Sequence, residues 1–292
     1  MTSDEKHVVP HSAGTAPPKM KAPANAADCH MHIYDPRFPQ LASRAPVSGA
    51  TVAEYRLLQK RNGTTRVVVV QPRNHATDNQ VTLDAIAQLG ANARGIAVVS
   101  TAVTDAELKR LDAGGVRGIR FSLGDPATAV VSLDMVEPLA KRIAGLGWHV
   151  QLHWPGDMIA QNAALLARLP CPMVFDHMGR FPPGTGISHP AWAVIRGLLD
   201  RGRAWVKLAG AYFNSQSGPP AYAGAETIAR AYVKAAPGRV VWGSDWPHPS
   251  EKVKPDDALL FDLLAAWAPD EAARHRILVT NPEALYGFGP AS

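Results

Sequence analysis

The hydrophobic pattern alternates between two periods from Ala27 onward. Short apolar, β-branched runs predict buried strands, and longer stretches with apolar residues at helical spacing predict amphipathic helices. The predicted strands are Ala27–Ile33, Arg66–Gln71, Gly95–Ser100, Val116–Phe121, His149–His153, Met173–His177, Ala204–Leu208 and Val240–Asp245. The predicted helices include Val81–Leu89, Asp105–Leu111, Leu133–Leu146, Met158–Leu169, Trp192–Leu199 and Glu226–Ala235. Eight strand-then-helix units in one chain predict an α/β fold of the (β/α)8 TIM-barrel type.

The same pattern bears on domain organisation. An open, doubly wound sheet is the alternative architecture, but no glycine-rich phosphate loop follows the first strand, which argues against a nucleotide-binding domain. Residues 1–26 contain many prolines, lysines and alanines and no long apolar run, so we expect a flexible N-terminal arm. Residues 27–292 are then a single catalytic barrel domain.

Composition narrows the classes of partner. The chain has 30 Lys and Arg against 25 Asp and Glu, a net charge of +5. These basic residues are scattered, which argues against nucleic acid and is compatible with a small anionic substrate. Two cysteines, Cys29 and Cys171, imply no disulfide framework and fit a cytoplasmic location. No apolar stretch is long enough for a membrane span, so no membrane partner is expected. A homo-oligomer is left open.

Titratable residues stand where four of the predicted strands end. In barrel enzymes the working residues lie at the C-terminal ends of strands. His30 and His32 are two residues apart, so both face the same side of the first strand, whereas alternation places Cys29 on the opposite side. The fifth, sixth and eighth strands end in His153, His177 and Asp245.

Each of these residues, taken singly, also has a structural interpretation. Alternate histidines can lie on a solvated strand, and aspartates commonly cap turns. A histidine beside a tryptophan, as at His153, can be a hydrogen-bonded core residue. Because four separate strands converge on one rim of a barrel, their conjunction favours an active site.

Longer motifs carry a family resemblance over nearly the whole chain after the N-terminal arm. The strings DCHMHIYDPRFP (28–39), QPRNHATDN (71–79), GVRGIRF (115–121), FDHMGR (175–180) and GSDWPHP (243–249) resemble the lactonase branch of the amidohydrolase superfamily. The resemblance implies that Asp245 is the general base, that His30, His32 and His177 surround the reacting carbonyl, and that Arg120 binds a substrate carboxylate. Further substrate contacts are expected from His153, Arg73, Asn214, Tyr212 and Trp246.

Departures from the branch affect the expected substrate. The pyrone dicarboxylate lactonases have a serine where Arg73 stands. They also carry arginines in the segments that correspond to 122–126 and 209–216, and this chain has no arginine in either segment. The resemblance therefore points away from a planar pyrone diacid and towards a sugar-acid lactone. The expected reaction is the isomerisation of D-galactaro-1,5-lactone to D-galactaro-1,4-lactone by intramolecular acyl transfer, within hexuronate or aldarate catabolism.

Three other functions stay open. The first is a metal-independent lactonase, the second is a metal-dependent amidohydrolase or decarboxylase, and the third is a non-catalytic barrel that binds sugar acids. The branch works without a divalent metal, so the resemblance implies that no cofactor is required. A zinc or manganese ion, if one is used, is expected at His30, His32, His153, His177 and Asp245.

Overall fold

Eight parallel strands form the centre of the molecule. The computed structural model describes residues 8–124 and 129–289. The strands are β1 (Ala27–Met31), β2 (Arg66–Val70), β3 (Ala93–Ala97), β4 (Val116–Ser122), β5 (His149–His153), β6 (Met173–Phe175), β7 (Ala204–Leu208) and β8 (Val240–Trp242). Their spatial order follows their chain order, and each neighbouring pair is parallel. This order confirms the predicted (β/α)8 architecture and excludes the open, doubly wound alternative.

Helices surround the strands in the described part of the chain. They are α1 (Val52–Asn62), α2 (Gln80–Leu89), α3 (Asp105–Ala113), α4 (Val136–Ala144), α5 (Gly156–Gln161), α6 (Ala163–Arg168), α7 (Pro190–Asp200), α8 (Ala223–Ala235), α9 (Asp257–Trp267), α10 (Glu271–His275) and α11 (Asn281–Tyr286). Their apolar faces pack on the outward-facing side chains of the strands in one extensive core. Among the described residues, no helix is both long and apolar enough to cross a membrane.

The barrel closes where β1 meets the segment after β8. The Asp245 amide donates to the His30 carbonyl at 2.8 Å, and the His32 amide donates to the Trp246 carbonyl at 2.8 Å. This seam requires a glycine at position 243, because a Cβ there would lie 2.6 Å from the His30 Cβ and 2.8 Å from its amide nitrogen. Closure therefore brings the first and last strands, and the site residues at their ends, into direct contact.

Five strands end earlier than their hydrophobic pattern predicts, namely β1, β2, β3, β6 and β8, and the last two matter for the site. β6 stops at Phe175 and β8 at Trp242, so His177 and Asp245 lie just beyond the sheet. Both residues have left-handed backbones, with φ of 49° and 65°. A left-handed residue cannot continue a strand, so the chain turns out of the sheet at these points.

Cys29 departs from the alternation predicted for β1. It belongs to the same buried cluster as Val68, Val174 and Val241, which pack inside the barrel. The pairing register of β1 with β2 shifts between Asp28 and Met31. Such an irregularity adds a residue to one side of the ladder, so Cys29 does not face away from the barrel interior as alternation predicted.

The described part of the N-terminal segment packs against the barrel. Val9 is 2% exposed. Arg61 donates from Nε to the Ala16 carbonyl at 2.9 Å, and the Met20 amide donates to Asp262 at 2.8 Å. These contacts hold residues 8–26 against the barrel, where the composition of the segment had suggested a flexible arm. Residues 1–7 lie outside the described residues.

Candidate active site

The structure brings together the histidines and the aspartate that the motifs single out. Oδ1 of Asp245 lies 3.4 Å from His30 Nε2, 3.6 Å from His32 Nε2 and 4.0 Å from His177 Nε2. All four side chains are almost fully buried. A carboxylate oxygen surrounded by three imidazole nitrogens is an arrangement suited to acid–base chemistry.

A cavity of about 390 Å³ opens at these residues. His32, His177 and Asp245 line it, as do three of the predicted substrate contacts: Arg120, Arg73 and His153. Residues for which sequence reasoning predicted no role also line it, among them Tyr34, Arg44, Asn74 and Phe213. The volume is within the range of small-molecule sites, and the arginines make its wall positively charged.

Three other predicted substrate contacts are engaged elsewhere and do not line the cavity, as far as the described residues go. Asn214 holds the turn after β6, since it accepts from the Phe181 amide at 3.1 Å and donates to the His177 carbonyl at 2.8 Å. Trp246 is completely buried, and its Nε1 donates to the Pro10 carbonyl at 2.7 Å. Tyr212 donates to Asp245 Oδ2 at 2.5 Å. The three side chains are thus engaged with protein groups, and in the described structure none of them forms part of the cavity wall where substrate contacts were expected.

Next to the histidines lies a buried polar network, in which sequence reasoning had assigned a role to Arg120 but none to Asp176, Gln151 or Lys207. Asp176 accepts from Arg120 Nε at 2.9 Å and from Gln151 Nε2 at 3.1 Å. Lys207 Nζ donates to Gln151 Oε1 at 2.7 Å and lies 3.4 Å from His30 Nδ1. Burial lowers the pKa of Lys207 to about 8, against the attraction of Asp176. The available sequence signal was alternation: Gln151 stands two residues before His153 and therefore shares its inward face.

Burial sets the protonation of the site. It lowers the pKa of the His30 and His153 rings well below the usual value and that of His177 to about 4. Burial alone would raise the pKa of Asp245, but the neighbouring His177, His32 and His30 rings outweigh it, and the pKa falls well below the usual value. Near neutral pH the carboxylate is therefore ionised and able to accept a proton.

The orientation of His32 is fixed by a backbone contact. Its Nδ1 lies 2.8 Å from the Val70 carbonyl oxygen, so Nδ1 carries a proton and donates it there. Nε2 then points towards Asp245 and, in the neutral ring, presents its lone pair. That lone pair can accept a hydrogen bond from a hydroxyl group or bind a metal ion.

The donor set fits a divalent metal ion. Ligand atoms of His30, His32 and Asp245 lie within 4.8 Å of one another, and His30, Asp176 and His177 form a second such group. Two ligands of a tetrahedral zinc ion are about 3.4 Å apart, close to the separations around Asp245 Oδ1. Within the described residues, His30 Nε2 and His177 Nδ1 are buried without a hydrogen-bond partner. Geometry and donor type are thus compatible with zinc or manganese.

Strained backbone is concentrated around the site. Besides His177 and Asp245, left-handed φ angles occur at Met178, Arg180 and His248. Non-glycine residues in this region cost free energy, and such residues cluster at functional sites. The turns after β6 and β8 therefore hold their side chains in positions that an unstrained strand end would not provide.

The fold and the strand-end residues together define an amidohydrolase, and the sequence profile of that family matches residues 27–288. The chain belongs to the amidohydrolase family and is an enzyme of that type.

Particular relatives resemble the chain over almost its full length. D-galactarolactone isomerase of Agrobacterium fabrum is 34% identical, over 95% of this chain and 96% of the relative. The 2-pyrone-4,6-dicarboxylate hydrolase of Comamonas testosteroni is 35% identical, over 94% of each chain. An apo crystal structure from Agrobacterium tumefaciens superposes with a TM-score of 0.88 at 34% identity, covering 96% of this chain and 99% of the other.

Proposed function

We propose that this enzyme processes lactones of anionic sugar acids, and that its reaction is the isomerisation of D-galactaro-1,5-lactone to D-galactaro-1,4-lactone. The observation that carries the proposal is the Asp245 carboxylate among three imidazoles, in a cavity lined by arginines. The similarity to D-galactarolactone isomerase supports the choice of substrate.

The proposed reaction is an intramolecular acyl transfer. Asp245 accepts the proton of the substrate's C4 hydroxyl as the C4 oxygen attacks the C1 carbonyl, forming a tetrahedral intermediate. The bond between C1 and the C5 oxygen then breaks, and Asp245 returns the proton to the C5 oxygen. The atoms balance without water, because the nucleophile and the leaving group belong to one molecule. Proximity of the two oxygens replaces a second reactant.

The histidines assist at the carbonyl. In this mechanism His30, His32 and His177 surround the carbonyl group. Ring N–H groups of His30 and His177 stabilise the oxyanion that develops on it, and the Nε2 lone pair of His32 accepts a hydrogen bond from a substrate hydroxyl. Lys207 Nζ, 3.4 Å from His30 Nδ1, adds a positive charge behind the His30 ring. A donor aimed at the intermediate in a buried site is more effective than the same donor in water.

Arginines bind the carboxylate that the lactone retains. Arg120 uses Nε to hold Asp176, and its guanidinium also lines the cavity. In the proposal its remaining nitrogens form a charge-assisted pair with the C6 carboxylate, and Arg73, which follows β2, supports this pair from the cavity wall. In the proposal His153 contacts a ring hydroxyl from β5, the strand beside the one that carries Arg120.

We propose that no metal ion is required. A bound zinc or manganese ion would be held by His30, His32 and Asp245, with His177 nearby, and would polarise the lactone carbonyl. A lactone is already an activated ester, and Lys207 together with the imidazoles supplies the electrostatic stabilisation.

Hydrolysis is the alternative reaction, favoured by the similarity to the 2-pyrone-4,6-dicarboxylate hydrolase. The same carboxylate would then deprotonate a water molecule instead of the substrate's hydroxyl. The two reactions share every proposed side-chain role and differ in whether water reaches Asp245.

A proton NMR time course with freshly prepared D-galactaro-1,5-lactone distinguishes these reactions. The enzyme is treated with a chelator, and the uncatalysed conversion is followed in parallel. Formation of the 1,4-lactone before any open diacid supports a metal-independent isomerase, whereas direct formation of galactarate identifies a lactonase. Activity that returns only with zinc or manganese contradicts the metal-independent proposal. Asp245→Asn serves as the inactive control.

A further inference from the structure

Tyr212 links the Asp245 carboxylate to two buried residues outside the cavity. Its hydroxyl lies 2.5 Å from Asp245 Oδ2 and 3.1 Å from His248 Nδ1. His248 Nε2 in turn lies 3.1 Å from both carboxylate oxygens of Asp257. His248 and Asp257 are completely buried. The described residues thus contain a continuous chain of hydrogen bonds that runs from the beginning of α9 to Asp245.

Proton counting gives this chain a direction. The tyrosine hydroxyl has one proton, which it donates to the Asp245 carboxylate. His248 Nδ1 must then donate to the tyrosine oxygen, and Nε2 must donate to Asp257, if all the contacts are hydrogen bonds. Each donor therefore points towards the next acceptor, and Asp257 orients the ring that orients Tyr212.

The chain distinguishes the two oxygens of Asp245. Oδ2 is bound by Tyr212, whereas Oδ1 faces the Nε2 atoms of His30, His32 and His177. A carboxylate held at one oxygen cannot rotate freely about its Cβ–Cγ bond. The bond from Tyr212 therefore keeps Oδ1 directed at the imidazoles and reduces the ability of Oδ2 to take a proton.

The backbone conformation of the turn after β8 explains why Asp245 needs support from other side chains. Asp245 and His248 both have left-handed φ angles, of 65° and 54°, and the His248 amide donates to the Asp245 carbonyl at 2.8 Å. The turn after β8 therefore holds both residues in a conformation that costs free energy. Hydrogen bonds from Tyr212, in the turn after β7, and from Asp257 in α9 fix this turn from two sides.

We infer that Tyr212, His248 and Asp257 are positioning residues that hold the Asp245 carboxylate in its reactive orientation. They act on the nucleophile-activating step and not on substrate binding. This inference rests on the proposed function, in which Asp245 is the general base.

Steady-state kinetics of full-length variants test whether this chain of hydrogen bonds positions Asp245. Tyr212→Phe should lower kcat about 10-fold to 100-fold, with KM within about 2-fold of wild type, because supporting residues of this kind typically contribute that much. Asp257→Asn should lower kcat by a smaller factor and in the same way. His248→Asn, which keeps a donor near the Nδ1 position, should retain more activity than His248→Ala.

A double variant gives the most specific test. If Asp257 acts through Tyr212, Asp257→Asn should cause no further loss in the Tyr212→Phe protein. Tyr222→Phe is the matched control, because it removes a phenol hydroxyl ten residues further along, whereas in the described structure the tyrosine hydroxyl bonded to Asp245 is that of Tyr212. Its kcat should equal that of wild type. Thermal unfolding of each variant shows whether it is folded.

Two kinetic results would contradict the positioning role of Tyr212. A raised KM with an unchanged kcat in Tyr212→Phe would make Tyr212 a substrate contact and overturn the inference. Independent, multiplying losses in the double variant would also overturn it.

Histidine ring ¹⁵N spectra of the whole protein separate failure of the chain from failure of the proposed function. His248→Asn assigns the signal. Asp245→Asn should shift the His248 signal when Tyr212 is present and leave it unchanged in the Tyr212→Phe protein. Absence of that dependence overturns the chain whatever the substrate proves to be. If the dependence is present but no lactone is converted, the proposed function fails while the hydrogen-bond chain stands.

Discussion

Replacing Arg120 with lysine tests the proposed carboxylate-binding role directly. Arg120 is 4% exposed, donates from Nε to Asp176 Oδ2 at 2.9 Å, and lines the cavity. In the proposal its terminal nitrogens hold the substrate carboxylate by two parallel hydrogen bonds. Arg120→Lys keeps the positive charge but cannot form both bonds, since an ammonium group lacks the planar fork.

The expected loss follows from one missing charge-assisted hydrogen bond. Such a bond is worth about 1.5–3 kcal/mol. At about 1.4 kcal/mol for each factor of ten, kcat/KM should fall roughly 10-fold to 150-fold. The loss of the Asp176 contact adds to this value, so part of the effect is independent of the substrate.

A pair of substrates separates the two contributions. The assay compares kcat/KM for a lactone with a free carboxylate and for its methyl ester, in wild-type enzyme and in Arg120→Lys. The variant should lose less activity on the ester, because the wild-type enzyme cannot form the charged pair with it. Arg117→Lys is the control: it lies on the same strand but is partly exposed, and it bonds to the Asp112 carbonyl at 3.1 Å.

Equal losses on both substrates would refute the reasoning. Arg120 would then act only by holding Asp176, and the carboxylate would have to bind elsewhere, with Arg44 and Arg73 of the cavity wall as the next residues to substitute.

Three further predictions concern the base and the barrel. Asp245→Asn should lower kcat about 10²-fold to 10⁴-fold with little change in KM, as measured by steady-state kinetics, because it removes a general base. Burial lowers the pKa of His149 to about 3 from 6.5. As the pH falls through that range, His149 is therefore protonated in the unfolded chain before it is protonated in the folded protein. Between pH 7 and pH 4 wild type should therefore lose about 3 kcal/mol of stability that His149→Gln does not lose, as measured by urea unfolding. Gly243→Ala should lower the free energy of unfolding by about 2 kcal/mol through its clash with His30, whereas Gly238→Ala, with open space around it, should change it little.

Much of the site was accessible from the sequence because barrel topology is regular. β5 and β7 have the bounds that the hydrophobic pattern predicts, and β1 and β2 begin at the predicted residues. A sheet of eight parallel strands places all their C-terminal ends on one rim. Residues as far apart as His30 and Asp245 could therefore be assigned to one place without knowledge of any contact.

Local irregularity limited this reasoning. Alternation placed Cys29 opposite His30, but the register shift in β1 brings Cys29 into the barrel interior. Period-two patterns cannot reveal such a shift, since it depends on pairing with the neighbouring strand. Composition likewise suggested a loose arm, whereas the packing of Val9 and the bonds made by Arg61 hold residues 8–26 in place.

The sequence by itself determined the strands, the barrel and the set of residues at its rim, because periodicity and strand order are local properties of the chain. Only the tertiary structure decided how those residues are used. Lys207 and Asp176 form a buried charge network beside His30, and Tyr212 bonds to Asp245 instead of lining the cavity. These relations join residues far apart in sequence, and burial, which sets their pKa values, exists only once the barrel has closed.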